Sequence, residues 1–456
     1  MQIDQSIFKA YDIRGIYPDQ LNEQAAYVLG RGFASLLKKR FPDSTLKVAV
    51  GCDMRISSPA LKSEVLRGLS DSGVDADDIG LVSTPAYYFA VGYYGYSHGM
   101  QISASHNPKQ WNGLKLVINN IMVNADNGIE ELKDIILNDR LVPVSEHKGT
   151  ISSRQNVTAD MVKDQISRID ISKIKPFKVV IDSANGTGAL DMKELFKYLP
   201  CQAIEMNYQL DGTFPAHEAD PMKPENVKDI CERVVAEHAD LGIAIDGDAD
   251  RYFFIDEKGK NIPQGILRGM MAQIELVEHP GATVAYDIRP GRITLDMIHA
   301  YGGKPLLTRV GHSFIKEQMV NAGAIFGGES SGHYCYKLPY GTFEAPVVEV
   351  TKFLKFISEQ DKPVSEIIKP YDKYFHSGEI NMHLESREVA EQKIEEVKKH
   401  FSDGKINMLD GLSVEYPDFW FNLRPSNTEP LLRLAIEGTS KEIVEKKKQE
   451  ILDLLK

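Results

Sequence analysis

Three segments of this 456-residue chain carry residue types that together could move a phosphoryl group. They are Ile102-Ser103-Ala104-Ser105-His106-Asn107-Pro108, Asp246-Gly247-Asp248-Ala249-Asp250-Arg251 and Arg424-Pro425-Ser426-Asn427-Thr428-Glu429-Pro430. They supply in turn a hydroxyl nucleophile, a cation site and a phosphate clamp. A serine hydroxyl titrates far above neutrality, so a serine that exchanges a phosphoryl group needs a cation to neutralise the phosphate oxygens and fixed donors to aim it.

Asp246, Asp248 and Asp250 alternate, so in an extended segment all three carboxylates project to one side. They repel one another unless a cation sits among them, and oxygen-only ligation points to a hard ion such as Mg²⁺. A calcium loop of the EF-hand type would need glycine where Arg251 stands, and helices in place of the apolar runs Leu241–Ile245 and Tyr252–Ile255. A solvated acidic turn is the other reading. Ser105 follows the alternating run Met100-Gln101-Ile102, which places it in a turn beyond a strand's carboxyl end. Ser105-His106-Asn107-Pro108 is also compatible with a side-chain-stabilised turn, and no G-x-S-x-G hydrolase signature surrounds it.

Lys115 can orient a phosphate or act in acid/base chemistry, or simply be solvated. Arg14, in Tyr11-Asp12-Ile13-Arg14-Gly15, suits a bidentate phosphate contact or an internal pair with Asp12. In Gly327-Gly328-Glu329-Ser330-Ser331-Gly332-His333, Glu329 and Ser331 can point the same way toward vicinal sugar hydroxyls, and His333 can move a proton at neutral pH. A polar loop is the plainer account. Arg424, Ser426, Asn427 and Thr428, with Arg433 further on, offer many short donors to a phosphate dianion, or an ordinary proline turn.

Positioning these segments requires several domains. At this length about three or four domains of roughly 100 to 150 residues are expected, with a large cleft. Leu46 to Leu69, Phe177 to Leu199 and Ala282 to Tyr301 share one plan of β-rich run, polar turn and helical pattern, which predicts three similar α/β domains with mainly parallel sheets. The polar turns fall at carboxyl ends of strands, where ligands gather. A strand at Gly378 to Leu384, a charged helix over about 387–401, further strands to Ile436 and a closing helix predict a separate C-terminal α+β domain. The expected domains are 1–150 with the serine loop, 151–256 with the metal loop, 257–368 with the sugar loop and 369–456 with the phosphate loop.

Composition narrows the function classes. The chain is 42% hydrophobic and 26% charged, as in ordinary globular proteins, and its formal charge of −12 argues against a nucleic-acid partner. Cys52, Cys201, Cys231 and Cys335 form no C-x-x-C pair, which suits reduced thiols. Residues 1–9 show no secretory pattern and no segment approaches the roughly 20 apolar residues that span a bilayer, so a cytoplasmic protein with no membrane partner is expected.

With these segments in this order, the chain resembles the α-D-phosphohexomutases, and most closely their bacterial and archaeal phosphomannomutase/phosphoglucomutase group, over essentially its whole length. The resemblance implies four domains around a central cleft, a resting enzyme phosphorylated on Ser105, and one Mg²⁺ per chain held by Asp246, Asp248, Asp250 and that phosphoserine. It implies Arg251 beside the metal loop, and a catalytic set of Ser105, His106, Lys115, Arg14 and His333. Glu329 and Ser331 would bind sugar hydroxyls, and Arg424, Ser426, Asn427, Thr428 and Arg433 the unreacting phosphate. Tyr11, Arg289, Thr308, Gly311 and His312 complete the implied substrate contacts, Arg289 standing where a lysine is frequent. Phosphoserine would donate to a hexose 1-phosphate, and the hexose 1,6-bisphosphate, also the activator, would turn around and return its other phosphate.

Ser103 stands where threonine is usual and Ala249 where glycine is common, and Tyr340 to Ala345 lacks the family's acidic-acidic-glycine pattern. A site reading O3 and O4 alone accepts both mannose and glucose, which differ at C2. Asn427 resembles the phosphomannomutase/phosphoglucomutases more than the phosphoglucosamine mutases, which tend to carry glycine there. A phosphoglucosamine mutase, a Mg²⁺-dependent sugar phosphatase and a non-enzymatic sugar-phosphate-binding scaffold are the alternatives, and a monomer or small homo-oligomer is expected.

Overall fold

The computed structural model describes residues 3–289, 291–384, 386–425 and 431–455. They fall into two compact units, residues 1–262 with 331–367, and residues 263–330 with 368–456.

The first unit contains two mixed sheets. In the seven-stranded sheet the order is Ile13–Ile16, Trp111–Ile118, His98–Ile102, Lys47–Cys52, Asp75–Leu81 and Ile151–Ser153, with Ile121–Met122 paired to Trp111–Ile118. Lys47–Cys52 runs parallel to both neighbours, whereas Trp111–Ile118 runs antiparallel to His98–Ile102. The four-stranded sheet has the order Tyr252–Asp256, Leu241–Ile245, Lys178–Asp182 and Gln202–Met206. Only the Leu241–Ile245 and Tyr252–Asp256 pair is antiparallel, closing a hairpin around Asp246 to Arg251. Val179, Val180, Ile181 and Ile243 are fully buried, as expected of near-continuous apolar strands covered on both faces. The unit also includes the hairpin Tyr334–Leu338 with Gly341–Glu344, and the helix Pro346–Ser358.

In the second unit, Thr283–Asp287 lies parallel to Lys304–Thr308 and to Phe326–Gly328. The C-terminal sheet is five-stranded and antiparallel where its register is described, ordered Phe375–His383, Leu431–Gly438, Phe419–Pro425, Leu412–Glu415 and Lys405–Asn407. Helices Arg387–His400 and Lys441–Leu455 cover it, with Val397, Ile451, Leu434 and Ile436 in one core. The three repeated stretches each fold as strand, turn and helix: Lys47–Cys52 with Ser58–Asp71, Lys178–Asp182 with Gly188–Leu195, and Thr283–Asp287 with Arg292–Ala300.

Candidate active site

Strand His98–Ile102 delivers Ser105 into a tight turn. Ser105 is 3% exposed and its φ of +51° lies in the left-handed region, which a side chain adopts only where surroundings enforce it. Its N–H donates to Ser103 Oγ at 3.0 Å, and its Oγ lies 3.2 Å from both Asp246 Oδ2 and His106 Nδ1. The serine of one sheet therefore meets the carboxylates of the other.

Asp246, Asp248 and Asp250 are buried and can each place an oxygen so that all lie within 4.8 Å of one another. Lys115 Nζ donates to Asp248 Oδ2 and Asp250 Oδ2, each at 2.6 Å. Thr84 Oγ1 donates to Asp248 Oδ2 at 2.5 Å, Ser103 Oγ lies 3.4 Å from the same oxygen, and Arg251 Nε donates to Asp246 Oδ2 at 2.9 Å. Asp248 Oδ1 and Asp250 Oδ1 are buried without a hydrogen-bond partner among the described residues. Buried acceptors of this kind need a cation or a donor. The donor set is all oxygen, so the cluster fits Mg²⁺. The flanking elements are strands, which removes the EF-hand reading.

The electrostatics agree. Burial, then repulsion from Asp250 and Asp248, push Asp246 up to about 8, which an added divalent charge would reverse. Burial works against the Lys115 ammonium, but Asp248 and Asp250 outweigh it and raise its pKa, so Lys115 stays charged. His106, beside Ser105, is pushed well below its usual value by burial and then by Arg251 and Arg14, so its imidazole is neutral.

Arg14 makes the internal pair with Asp12 that its sequence context allowed, and also holds the serine turn. Its Nε pairs with Asp12 at 2.8 Å, while Nη1 reaches Ala104 O at 3.1 Å and the Asn107 side chain across the serine turn. His333 bridges to Arg251, its Nδ1 3.6 Å from Asp250 Oδ1 and 3.5 Å from Glu344 Oε1. Tyr11 is half-buried in the bend before Ile13–Ile16, and Ser331 is half-buried two residues before His333. The first unit thus gathers Ser105, His106, Arg14, Lys115, Asp246, Asp248, Asp250, Arg251 and His333.

In the second unit, Glu329 Oε1 accepts from Gly311 N at 2.7 Å and lies 3.5 Å from Arg289 Nη2, so it ties two loops together. Arg289 also pairs with Asp287, which Arg268 holds from the other side. Gly311, at φ +133°, precedes the helix His312–Ala322, and Thr308 Oγ1 donates to Tyr286 O at 3.3 Å. Arg424 and Arg433 are cross-strand partners that share Glu379, at 2.9 and 3.5 Å. Ser426, Asn427 and Thr428 lie outside the described residues.

The residue reading passed over Glu344, Thr84 and Arg55. Glu344 lay in the segment that departs from the family pattern, yet it is 2% exposed and faces His333. Thr84 carries no motif, but a buried threonine that opens the helix Thr84–Tyr93 is well placed to bond across sheets.

Sequence models of the domains described as phosphoglucomutase/phosphomannomutase alpha/beta/alpha domains I, II and III match residues 5–141, 159–259 and 267–374, and that of the C-terminal domain matches 379–454. The chain is 37% identical to the phosphomannomutase of Methanocaldococcus jannaschii over 99% of this chain and 98% of that protein. It is 34% identical to the phosphomannomutase/phosphoglucomutase of Pseudomonas aeruginosa, covering 99% and 96%. A solved structure of a phosphoglucomutase/phosphomannomutase family protein from Burkholderia thailandensis superposes with a TM-score of 0.90 at 31% identity, covering 100% of this chain and 98% of that one.

Proposed function

The chain belongs to the phosphoglucomutase/phosphomannomutase family, and from that premise we propose that it interconverts the 1- and 6-phosphates of mannose, glucose or both through a phosphoserine at Ser105. It is a hexose phosphate mutase, an enzyme that transfers phosphate within a hexose phosphate. The observation that carries the serine assignment is Ser105 Oγ at 3.2 Å from Asp246 Oδ2, inside a buried cluster of carboxylates.

The residues that would hold Mg²⁺, one ion per chain, are Asp246, Asp248, Asp250 and the Ser105 phosphate. When bound, the ion neutralises phosphate oxygens as a Lewis acid. Lys115 and Arg251, both nearly fully buried, add fixed positive charge. As the bond from Ser105 Oγ to phosphorus breaks, a new one forms to the sugar hydroxyl, whose proton passes to His333. Glu344 and Asp250 face that imidazole. The hexose 1,6-bisphosphate then turns around, Ser105 takes the other phosphate, and His333 returns the proton. The same bisphosphate serves as activator when the serine is unphosphorylated.

Glu329 and Ser331 bind sugar hydroxyls in this reading, and Tyr11, Arg289, Thr308, Gly311 and His312 are further substrate contacts. Arg424, Arg433, Ser426, Asn427 and Thr428 grip the far phosphate. The four functional modules are 1–150, 151–256, 257–368 and 369–456, in a cytoplasmic monomer or small homo-oligomer. Among the described residues no helix is long and apolar enough to cross a membrane.

The test is a ³¹P NMR time course with Mg²⁺ and trace glucose 1,6-bisphosphate on mannose, glucose and glucosamine 1-phosphates, with Ser105→Ala as control. Formation of 6-phosphates that disappears in Ser105→Ala supports the reading and ranks the sugars. Release of free phosphate alone would favour a phosphatase.

A further inference from the structure

Arg55 follows the strand Lys47–Cys52, and its side chain is 0% exposed. Nη1 donates to the carbonyls of Pro108 and Trp111, each at 2.9 Å. Nη2 donates to the carbonyls of Ser105 at 2.8 Å and Asn107 at 2.6 Å. Nε lies 3.3 Å from Asp53 Oδ2, and the guanidinium carbon stands 5.1 Å from the Phe214 ring centroid. Asp53 is fixed in turn, its Oδ1 accepting from Arg55 N at 3.0 Å and Ser58 Oγ at 2.6 Å. The two Nη atoms carry four N–H groups, and each finds a carbonyl of the serine turn.

A buried cation whose Nη groups all go to one loop's backbone, with Nε turned to a buried aspartate, has no capacity left for a ligand. Its effect must pass through that loop. Ser105 occupies a left-handed conformation that its own side chain disfavours, so the peptide planes around it need external anchors. Arg55 anchors the carbonyls of Ser105 and Asn107, on either side of His106. The Ser105 carbonyl is also the atom that a Cβ on Gly247 would meet at 2.6 Å, so the metal hairpin rests on the peptide that Arg55 holds.

We propose that Arg55 is a positioning residue for phosphoryl transfer, holding the Ser105 to Trp111 turn by its carbonyls so that Ser105 Oγ is aimed at the carboxylate cluster. This rests on Ser105 being the phosphorylated nucleophile. A guanidinium is required because its planar fork reaches several carbonyls at once, whereas a lysine presents one nitrogen.

The experiment compares full-length wild type, Arg55→Lys, Arg55→Ala and Ser105→Ala with Mg²⁺ and glucose 1,6-bisphosphate. It measures kcat and KM for mannose 1-phosphate, phosphoserine by intact mass, and melting temperature. A misaimed nucleophile costs about a hundredfold in rate, so both Arg55 variants are expected to lose kcat on that scale with KM little changed. Added guanidinium ion is expected to restore part of kcat in Arg55→Ala and none in Arg55→Lys. Wild-type kcat in Arg55→Lys, or full recovery of kcat in the Arg55 variants on cooling alone, would overturn the proposal and leave Arg55 a stability residue. Should Arg55→Ala fail to fold, Arg55→Lys decides by the same criteria. Turnover in Ser105→Ala, or no added phosphate mass in wild type, would overturn the premise instead, whatever the Arg55 variants do.

Discussion

Lys115 and Asp250 face each other from two different sheets, Nζ to Oδ2 at 2.6 Å, and each side chain is 1% exposed. Removing one partner of such a pair strands the other in low dielectric, at a cost of about 3–5 kcal/mol. Lys115→Met is therefore expected to lose that much stability in EDTA, read by denaturant unfolding. Saturating Mg²⁺ is expected to recover more stability in the variant than in wild type, because the ion then compensates carboxylates that Lys115 no longer serves. Equal Mg²⁺ gains in both proteins would contradict a shared charge cluster.

Gly247 leaves no room for a side chain, since a Cβ there would stand 2.6 Å from Ser105 O. The oxygen belongs to backbone and a Cβ is fixed by the backbone that bears it, so relief requires the hairpin or the serine turn to move. Gly247→Ala is expected to fold and to lose about a hundredfold in kcat, the scale of a 1 Å misplacement. Steady-state kinetics beside a melting curve would check this, and an unchanged kcat would show that the turn yields without consequence.

Asp191 lies in the helix Gly188–Leu195 with 0% exposure, and neither carboxylate oxygen has a hydrogen-bond partner among the described residues. Burial pushes it up to about 7, with Ser83 nearby offsetting a little. The folded chain thus keeps this proton through a range in which the unfolded chain releases it, so stability falls as pH rises from about 4 to about 7 and then levels. Asp191→Asn is expected to flatten that slope and to be more stable than wild type at pH 7.5, by on the order of 4 kcal/mol as an upper bound. Unfolding curves at pH 4.5, 6 and 7.5 test it, and an Asn variant with the wild-type slope would refute it.

Glu437, 1% exposed on the strand Leu431–Gly438, accepts from Gly291 N at 3.0 Å, from Arg292 N at 3.0 and 3.1 Å, and from Trp420 Nε1 at 2.7 Å. It caps the helix Arg292–Ala300, and Arg289 stands just before that helix. Glu437→Ala leaves buried donors unpaired, at about 1–3 kcal/mol. KM for the sugar phosphate is expected to rise with kcat less affected, because the change reaches a candidate substrate contact and not the serine. A fall in kcat at constant KM would reject this.

Much of this arrangement is legible in the residues because it depends on local pattern. Asp246, Asp248 and Asp250 announce themselves by alternation, and the three strand-turn-helix stretches by their repeated plan. Arg55 is invisible for a physical reason: its partners are carbonyl oxygens, which every residue carries, so no spacing or side-chain type marks them. Glu437 hides similarly, reading as a solvent-facing acid on a strand until its backbone donors are known. Glu344 sat in a segment conspicuous only for lacking a familiar pattern, and its burial against His333 comes from tertiary packing.

The stitch between Thr84 and Asp248, made by both a side-chain and a backbone hydrogen bond, has a consequence for how the enzyme comes to life. One sheet carries the serine and Lys115; the other carries the three carboxylates. A chain that has built only one of them owns a hydroxyl without a cation site, or a cation site without a hydroxyl. On the proposed mechanism neither half can take up a phosphoryl group, so a nascent or partly unfolded chain would be silent toward phosphosugars, and a phosphate on Ser105 would certify that both sheets have folded and docked.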